Sequence, residues 1–294
     1  LKHLAKRIQR VGLVANADKP AGARVVRHAA RLLAAAGREA WSDPVTHRLA
    51  RLSGPTCLDL IALARAVDLL LVFGGDGTML RAAREIAGSK TPLLGVNLGG
   101  LGFLTAVPSS ELAAAFKLIW EGHFTFERRA LIKGRARQGS RTLHCEALND
   151  IVISHRTESR LIELDVSVDN VPVTSYRCDG LIVSSPTGST AYSLSAGGAV
   201  VFPTAEVFTL TPICPHTLSN RSLILSLDSV IQIRPLTPRP TAVLSADGEP
   251  LSELSCGDVL TIRRSAHTVR LMHLRGSSFF AALRQKLHWR GTTL

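Results

Sequence analysis

The run Val67-Asp68-Leu69-Leu70-Leu71-Val72-Phe73, followed at once by Gly74-Gly75-Asp76-Gly77-Thr78, constrains this chain more than any other segment. An apolar strand that ends in a glycine-rich turn and enters a helix is where α/β proteins place phosphate groups. Three glycines let the backbone approach an anion closely and take up conformations with φ > 0. Asp76 is the unusual member. A carboxylate repels phosphate, so it makes sense where the site also needs a proton acceptor or a handle on bound Mg²⁺. The segment reads as a nucleotide or phosphoryl-transfer site. A plain Asp-Gly turn between strand and helix is the simpler alternative.

The rest of the chain divides by texture. From residue 8 to about 125, strand and helix patterns alternate. Ile8 to Ala15, Val67 to Phe73 and Leu93 to Asn97 read as strands. Ala21 to Gly37, Leu58 to Ala66, Thr78 to Ala87 and Glu111 to Trp120 read as helices. Such alternation implies a parallel sheet with helices on both faces, with ligands at the carboxyl ends of the strands. The turns at Asn16, at Gly74 to Thr78 and at Asn97 to Phe103 then line one edge. From about 130 to 274 the chain is strand-rich and reads as a sandwich or layered β domain. Runs are expected at Leu131–Arg137, Thr142–Ile153, Ile162–Val168, Val171–Tyr176, Gly180–Ser184, Ser229–Arg234, Ala242–Ala246, Val259–Arg264 and Thr268–Leu274. Asp169-Asn170 reads as a hairpin turn. Ser278 to Trp289 reads as an amphipathic helix that returns to the first domain. The expected organisation is an α/β Rossmann-like domain (1–129 plus 275–294) and a β-rich domain (130–274).

Composition narrows the function classes. With 46% hydrophobic and 20% charged residues, the 294-residue chain is expected to be folded and soluble, not disordered. No apolar run of membrane-spanning length is present, and the basic start leads into a strand-like segment, so neither a membrane span nor a secretory signal is expected. The five cysteines are widely spaced and odd in number, with no CxxC or zinc spacing, which fits reduced thiols in a cytoplasm. Cys214-Pro215-His216 reads as packing residues. The net charge of +12 is carried by scattered arginines with no basic tract and no interleaved aromatics, which argues against nucleic acid as a partner.

Three further segments carry polar chemistry. Asp179 to Gly198 is dense in hydroxyls and glycine, suited to sugar hydroxyls or phosphates, or simply a polar loop. Leu148-Asn149-Asp150 sets a polar pair in an apolar strand, either a bulge or an amide and carboxylate offered to a ribose. Ser245-Ala246-Asp247-Gly248-Glu249 is similar, with a hairpin turn as its default.

Taken together, Gly74 to Thr78, Asn97-Leu98-Gly99-Gly100-Leu101-Gly102-Phe103-Leu104-Thr105, Leu148 to Asp150 and Asp179 to Gly198 occur in the order and at the spacing of the NAD kinase family, which the chain resembles over nearly its whole length. Thr211 to Arg221, Asp247-Gly248 and the tail (Phe279, Phe280, Leu283, Lys286, Leu287, Trp289) look like further family blocks. The glycine turn alone is shared with diacylglycerol and sphingoid kinases; the Pro186 to Gly198 block is the more specific. Thr187 stands where many relatives have Ser, and Leu98-Gly99-Gly100 lies in a variable segment.

The resemblance implies transfer of a phosphoryl group from ATP or another phosphoryl donor, with Mg²⁺ or another divalent cation, to the 2′-hydroxyl of the adenosine ribose of NAD. It implies a homodimer or homotetramer with the active site between domains. Carried over by motif, Asp76 contacts or deprotonates the hydroxyl, and Gly74, Gly75, Gly77 and Thr78 shape the phosphate turn. Phe103 packs near the adenine or ribose, and Asn149 and Asp150 hold ribose hydroxyls. Asp179 lies near the nicotinamide end, from a neighbouring subunit. Thr187, Thr190, Ala191, Tyr192 and Ser195 complete the NAD pocket. Asp76 is expected on a solvent-facing turn, so that Asp76→Ala spares the fold. Two alternatives stand beside this: a lipid kinase of the same superfold, which would need an apolar mouth, and a non-catalytic NAD or NADP sensor, which would have no need of Asp76.

Overall fold

A computed structural model of the chain describes residues 2–19, 22–100, 102–155, 161–216, 221–238 and 242–289. Ala21 at the expected helix start, Leu101, and residues 217–220 of the Thr211 to Arg221 block lie outside the described residues. The chain forms two compact units, Leu1–Arg128 with Thr268–Leu294, and Arg129–His267.

In the first unit the elements are α1 (Lys2–Arg7), β1 (Arg10–Ala15), α2 (Gly22–Ala35), β2 (Glu39–Ser42), α3 (Pro44–Ala50), α4 (Leu60–Ala66), β3 (Leu69–Gly74), α5 (Asp76–Glu85), β4 (Leu93–Asn97), β5 (Val107–Pro108) and α6 (Leu112–Trp120). Local chemistry sets several of the helix starts. Asp43 and Asp59 cap α3 and α4, accepting from the backbone N–H of Thr46 at 2.9 Å and of Ala62 at 2.7 Å. The strands β2, β1, β3 and β4 pair in parallel in that order, with Ala15 opposite Phe73 and Gly74 opposite Asn97. All six residues of β3 are buried, as a central parallel strand covered on both faces requires. The carboxyl ends of β1, β3 and β4 share one edge. There the Asn16 N–H donates to the Phe73 carbonyl at 3.3 Å and the Leu98 N–H to the Gly74 carbonyl at 3.2 Å.

The second unit takes up β6 (Phe124–Gln138) from Arg129 onward, then β7 (Arg141–Ala147), β8 (Asp150–His155), β9 (Ile162–Val168), β10 (Val171–Cys178), β11 (Gly180–Ser184), a 3₁₀ turn (Thr187–Thr190), α7 (Tyr192–Ser195), β12 (Val207–Ile213), β13 (Leu223–Ser226), β14 (Ile231–Pro235), β15 (Ala242–Ala246) and β16 (Glu249–Leu254), and the first part of β17 (Val259–Leu274). One antiparallel sheet has the order β13-β12-β11-β8-β15-β16. The strands β10-β9-β14-β17 form another antiparallel set. Their inward residues share a core, with Ile151, Ile153, Leu181, Val183, Phe208 and Leu244 from one and Leu164, Val166, Ile231, Ile233, Leu260 and Ile262 from the other. This is the sandwich-like arrangement. The last residues of β17 belong to the first unit, where Leu271 pairs in parallel with Leu93. The helix α8 (Phe279–Lys286) also belongs there, with Leu283 buried. Among the described residues no helix is long and apolar enough to cross a membrane.

Several boundaries differ from the sequence reading, each for a physical reason. The expected Thr142–Ile153 run is two strands, because Leu148-Asn149 forms a polar break between β7 and β8. Val259–Arg264 and Thr268–Leu274 are one strand. Strands β12, β13 and β16 had no counterpart in the sequence reading. β12 contains Pro212 and β16 contains Pro250, and proline argues against a strand when only sequence is read. Among the described residues both sit at an unpaired edge, for β13 pairs with β12 only up to Leu210 and β16 ends its sheet. Asp169 and Asn170 do form the expected hairpin turn, with φ of 51° and 65°.

Candidate active site

The first unit builds one polar centre at its strand edge. Asp76 is the first residue of α5, where a carboxylate is favoured by the helix dipole. Its Oδ2 accepts from the Phe103 N–H at 2.8 Å. Its Oδ1 accepts from the Leu104 N–H at 3.0 Å and the Thr105 hydroxyl at 3.2 Å. A Cβ on Gly102 would overlap Asp76 Oδ1, so only glycine lets the loop close onto the carboxylate. Buried Asn97 braces the same loop: its amide donates to the Gly100 carbonyl at 2.7 Å and to Thr105 Oγ1 at 3.0 Å, and its Oδ1 accepts from the Gly99 N–H at 2.6 Å. The Phe103 ring meets that of Phe279, 6.4 Å between centroids. Lys286 Nζ lies 4.6 Å from the Phe103 ring centroid and 3.8 Å from Asp76 Oδ2.

The glycine turn works by close approach. Gly75 is the helix N-cap with φ of −110° and ψ of −171°, and none of Gly74, Gly75 or Gly77 has a positive φ, contrary to expectation. A side chain on Gly74 would overlap the Thr78 side chain. A Cβ on Gly75 would point toward Lys19 Nζ, 4.0 Å away, and one on Gly77 would meet nothing within 4 Å. Asp76 also departs from the expected solvent-facing position. Its side chain is 29% exposed and holds three hydrogen bonds to residues 103–105, so removing it frees that loop as well as the charge.

The second unit builds another centre around Leu148-Asn149-Asp150. Asp247, in the β15–β16 hairpin turn, accepts the N–H groups of Leu148 at 3.0 Å, Asn149 at 2.7 Å and Asp150 at 3.2 Å. Asp150 is 4% exposed. Burial and then the neighbouring Asp247 carboxylate push its carboxyl up from 3.8 to about 7. The Asn149 carbonyl accepts from the Ser185 N–H at 2.8 Å and the Ser184 hydroxyl at 3.2 Å. A Cβ on Gly188 would overlap the Asn149 backbone, so the 3₁₀ turn is seated directly on Asn149. Within that turn the Thr187 hydroxyl accepts from Arg129 Nη1 at 3.3 Å, and the Thr190 hydroxyl donates to the Thr187 carbonyl at 3.4 Å. Ala191 joins the turn to α7, whose Tyr192 and Ser195 are exposed.

Asp179 stands apart. It precedes β11, while Ser184 ends that strand opposite Asp150. Five residues at about 3.4 Å each separate the two ends by roughly 17 Å. Asp179 instead faces His155, with Nε2 at 3.9 Å from Oδ1.

These motifs coincide with two family models. Residues 11–124 match the ATP-NAD kinase N-terminal domain and residues 148–274 match the ATP-NAD kinase C-terminal domain. The chain belongs to the ATP-NAD kinase family.

Full-length relatives agree. An NAD kinase of Moorella thermoacetica is 40% identical over 280 residues, spanning 95% of this chain and 89% of that protein. One of Symbiobacterium thermophilum is 41% identical over 280 residues, spanning 94% and 97%. Among solved structures, the yeast NADH kinase complexed with NADH superposes with a TM-score of 0.86 at 25% identity, over 98% of this chain and 89% of that one. An NAD kinase from Archaeoglobus fulgidus in complex with ATP gives 0.73 at 26% identity, over 96% and 100%.

For this member of the ATP-NAD kinase family, sequence reading missed several supporting residues. Asp247 carried a signal, its Asp-Gly pair in a family block, but a hairpin explained it. Lys19 and Arg129 carried none, since one basic residue among many has no pattern. Cys214 and His216, expected to pack, are exposed, and Cys214 has a φ of 44°. Cys178 is buried, and burial pushes its thiol up to about 12, against a hydrogen bond from the Gly180 backbone. Among the described residues no group of three His, Cys, Asp or Glu could hold a metal ion.

Proposed function

We propose that this kinase transfers the γ-phosphoryl group of ATP to the 2′-hydroxyl of the adenosine ribose of NAD, giving NADP and ADP. The observation that carries the reading is Asp76, fixed at a glycine turn and, among the described residues, with one acceptor position untaken. A carboxylate has about four acceptor sites, and three are used by Phe103, Leu104 and Thr105. The ribose oxygen bonds to the γ-phosphorus and the bond to the β,γ-bridging oxygen breaks. ADP leaves, and the hydroxyl proton passes to Asp76 and on to water. Gly74, Gly75, Gly77 and Thr78 serve as the phosphate turn and Phe103 as an aromatic wall for the adenosine.

Asn149 and Asp150 hold ribose hydroxyls, with Thr187, Thr190, Ala191, Tyr192 and Ser195 lining the remainder of the NAD pocket. The buried, Asp247-backed position of Asp150 supports this, because a fixed carboxyl group discriminates hydroxyls sharply. Asp179 serves the nicotinamide end of the pocket, from a neighbouring copy; its distance from Asp150 along β11 sets it apart from the ribose-binding pair. The enzyme is then a homodimer or homotetramer, and light scattering on the purified chain reads the state directly. We place it in the cytoplasm.

Mg²⁺ fits this chain as a passenger on the donor phosphates. It commonly keeps its waters and is bound largely through phosphate oxygens, so the donor's own phosphates at the glycine turn would hold it, and Asp76 stays with the ribose hydroxyl. When bound it would neutralise phosphate charge.

The test is a coupled assay for NADP with NAD, ATP and Mg²⁺, beside Asp76→Asn, which keeps the side chain's shape. NADP from the wild type and a loss of at least about 100-fold in the variant is expected. A variant within threefold of wild type would sink Asp76 as the base. NAD binding without any product would favour the sensor.

A further inference from the structure

We propose that Lys286, on the C-terminal helix α8, is a positioning residue of the phosphoryl-transfer centre. It holds Asp76 and Phe103 in place and offsets the carboxylate charge that an anionic donor would otherwise meet. The inference rests on the NAD kinase reading above and extends it to a residue 210 positions away in the chain.

A bare aspartate beside a phosphate turn is an electrostatic contradiction. Its charge would oppose each incoming phosphate oxygen. Backbone N–H donors from Phe103 and Leu104 disperse that charge without cancelling it. Among the described residues, Lys286 is the cation paired with it, 3.8 Å from Oδ2. That distance lies beyond a hydrogen bond, so the ammonium attracts the carboxylate without itself taking an acceptor position of Asp76. The same ammonium sits over the Phe103 ring at 4.6 Å. Phe103 gives its backbone N–H to Asp76 and its ring face to Lys286, so the three residues close a triangle of contacts.

The support for Lys286 comes from its own helix. Leu283 is buried, 3% exposed, and Phe279 packs on Phe103 about two turns behind Lys286. A helix anchored at these two points aims position 286 at the turn. The Lys286 and Asp76 side chains are 30% and 29% exposed, so a substrate has access to the pair and solvent screens it only in part. Lys19 brings a further cation to the turn, its Nζ 4.0 Å from where a Cβ on Gly75 would stand.

The variants are Lys286→Met, which keeps an apolar stem over Phe103, Lys286→Arg, and Lys286→Ala assayed with added ethylammonium chloride. For Lys286→Met we expect the KM for ATP to rise about tenfold and kcat to fall about tenfold, after allowing for screening. The KM for NAD should stay within about twofold. Lys286→Arg should retain most activity. Ethylammonium should restore Lys286→Ala several-fold, whereas equal tetramethylammonium, which cannot fit or donate, should not. A purely structural role would lower both substrates' affinities together, show in thermal melting and resist rescue by an amine.

Lys286→Met with both KM values and kcat within twofold of wild type overturns the proposal, as does equal loss for both substrates without rescue. A wild-type chain that makes no NADP overturns the kinase reading and this inference with it. An active wild type beside an unaffected Lys286→Met removes this inference alone.

Discussion

Replacing Asp150 by Asn should make the protein more stable at neutral pH, by an amount that grows with pH. The carboxyl's ordinary value is 3.8 and its folded value is about 7. Because the folded value is raised, its stabilising contribution is complete below about pH 4 and is lost as pH climbs through 7. At about 1.4 kcal/mol per pH unit, the full displacement is worth about 4 kcal/mol. By pH 5 roughly 1.7 kcal/mol of it is already lost, and by pH 8 nearly all. The amide of Asn does not titrate, so the gap between variant and wild type should widen by about 2.5 kcal/mol from pH 5 to pH 8. Thermal melting at both pH values reads this as a relative shift on the order of 5–10 °C. Parallel melting temperatures across the range would refute the argument, because Asp150 would then titrate like a carboxyl in water despite its burial and Asp247.

Function should titrate with the same group. If ribose hydroxyls donate to Asp150, NAD selects the ionised form, so the KM for NAD should rise about fivefold from pH 7 to pH 6. In Asp150→Asn the same profile should be flat. Gly188→Ala should destabilise by about 1–3 kcal/mol, because its methyl overlaps the Asn149 backbone; melting checks it. Asp247→Ala strands the N–H groups of Leu148, Asn149 and Asp150 and should raise the KM for NAD at least about tenfold, measured at saturating ATP. Timed labelling with a thiol reagent should modify exposed Cys214 and Cys256 within minutes and leave Cys178 unmodified until the protein unfolds.

The elements that position the centres were legible where one local rule decided them. Leu93–Asn97, Gly180–Ser184 and Ala242–Ala246 are short apolar runs bounded by turn residues, and their limits agree with the observed strands. The Asp169-Asn170 turn was legible because both positions need φ > 0. What stayed hidden depends on folding at long range. Asp247 meets Leu148 across 99 positions and Lys286 meets Asp76 across the sheet edge. No window of sequence contains either pair. The glycines misled in one respect: Gly74 and Gly102 are needed for the side chains that press on them, a property of the packed state alone.

The strand β11 has a consequence beyond its place in the core. Its five residues are all buried and paired on both sides, Gly180 against Ser154 and Ile213, Ser184 against Asp150 and Thr209. A strand so held is a rigid ruler. One end carries Asp179, the other leads into Ser185 and the hydroxyl-rich turn. If Asp179 reaches a second copy's pocket, the spacing between paired catalytic centres is counted out in residues of this strand. An insertion there would move one copy's acidic contact by about 3.4 Å and reverse the facing of every side chain beyond it. On that reading assembly geometry and substrate fit share a single segment, and a change in one would move the other.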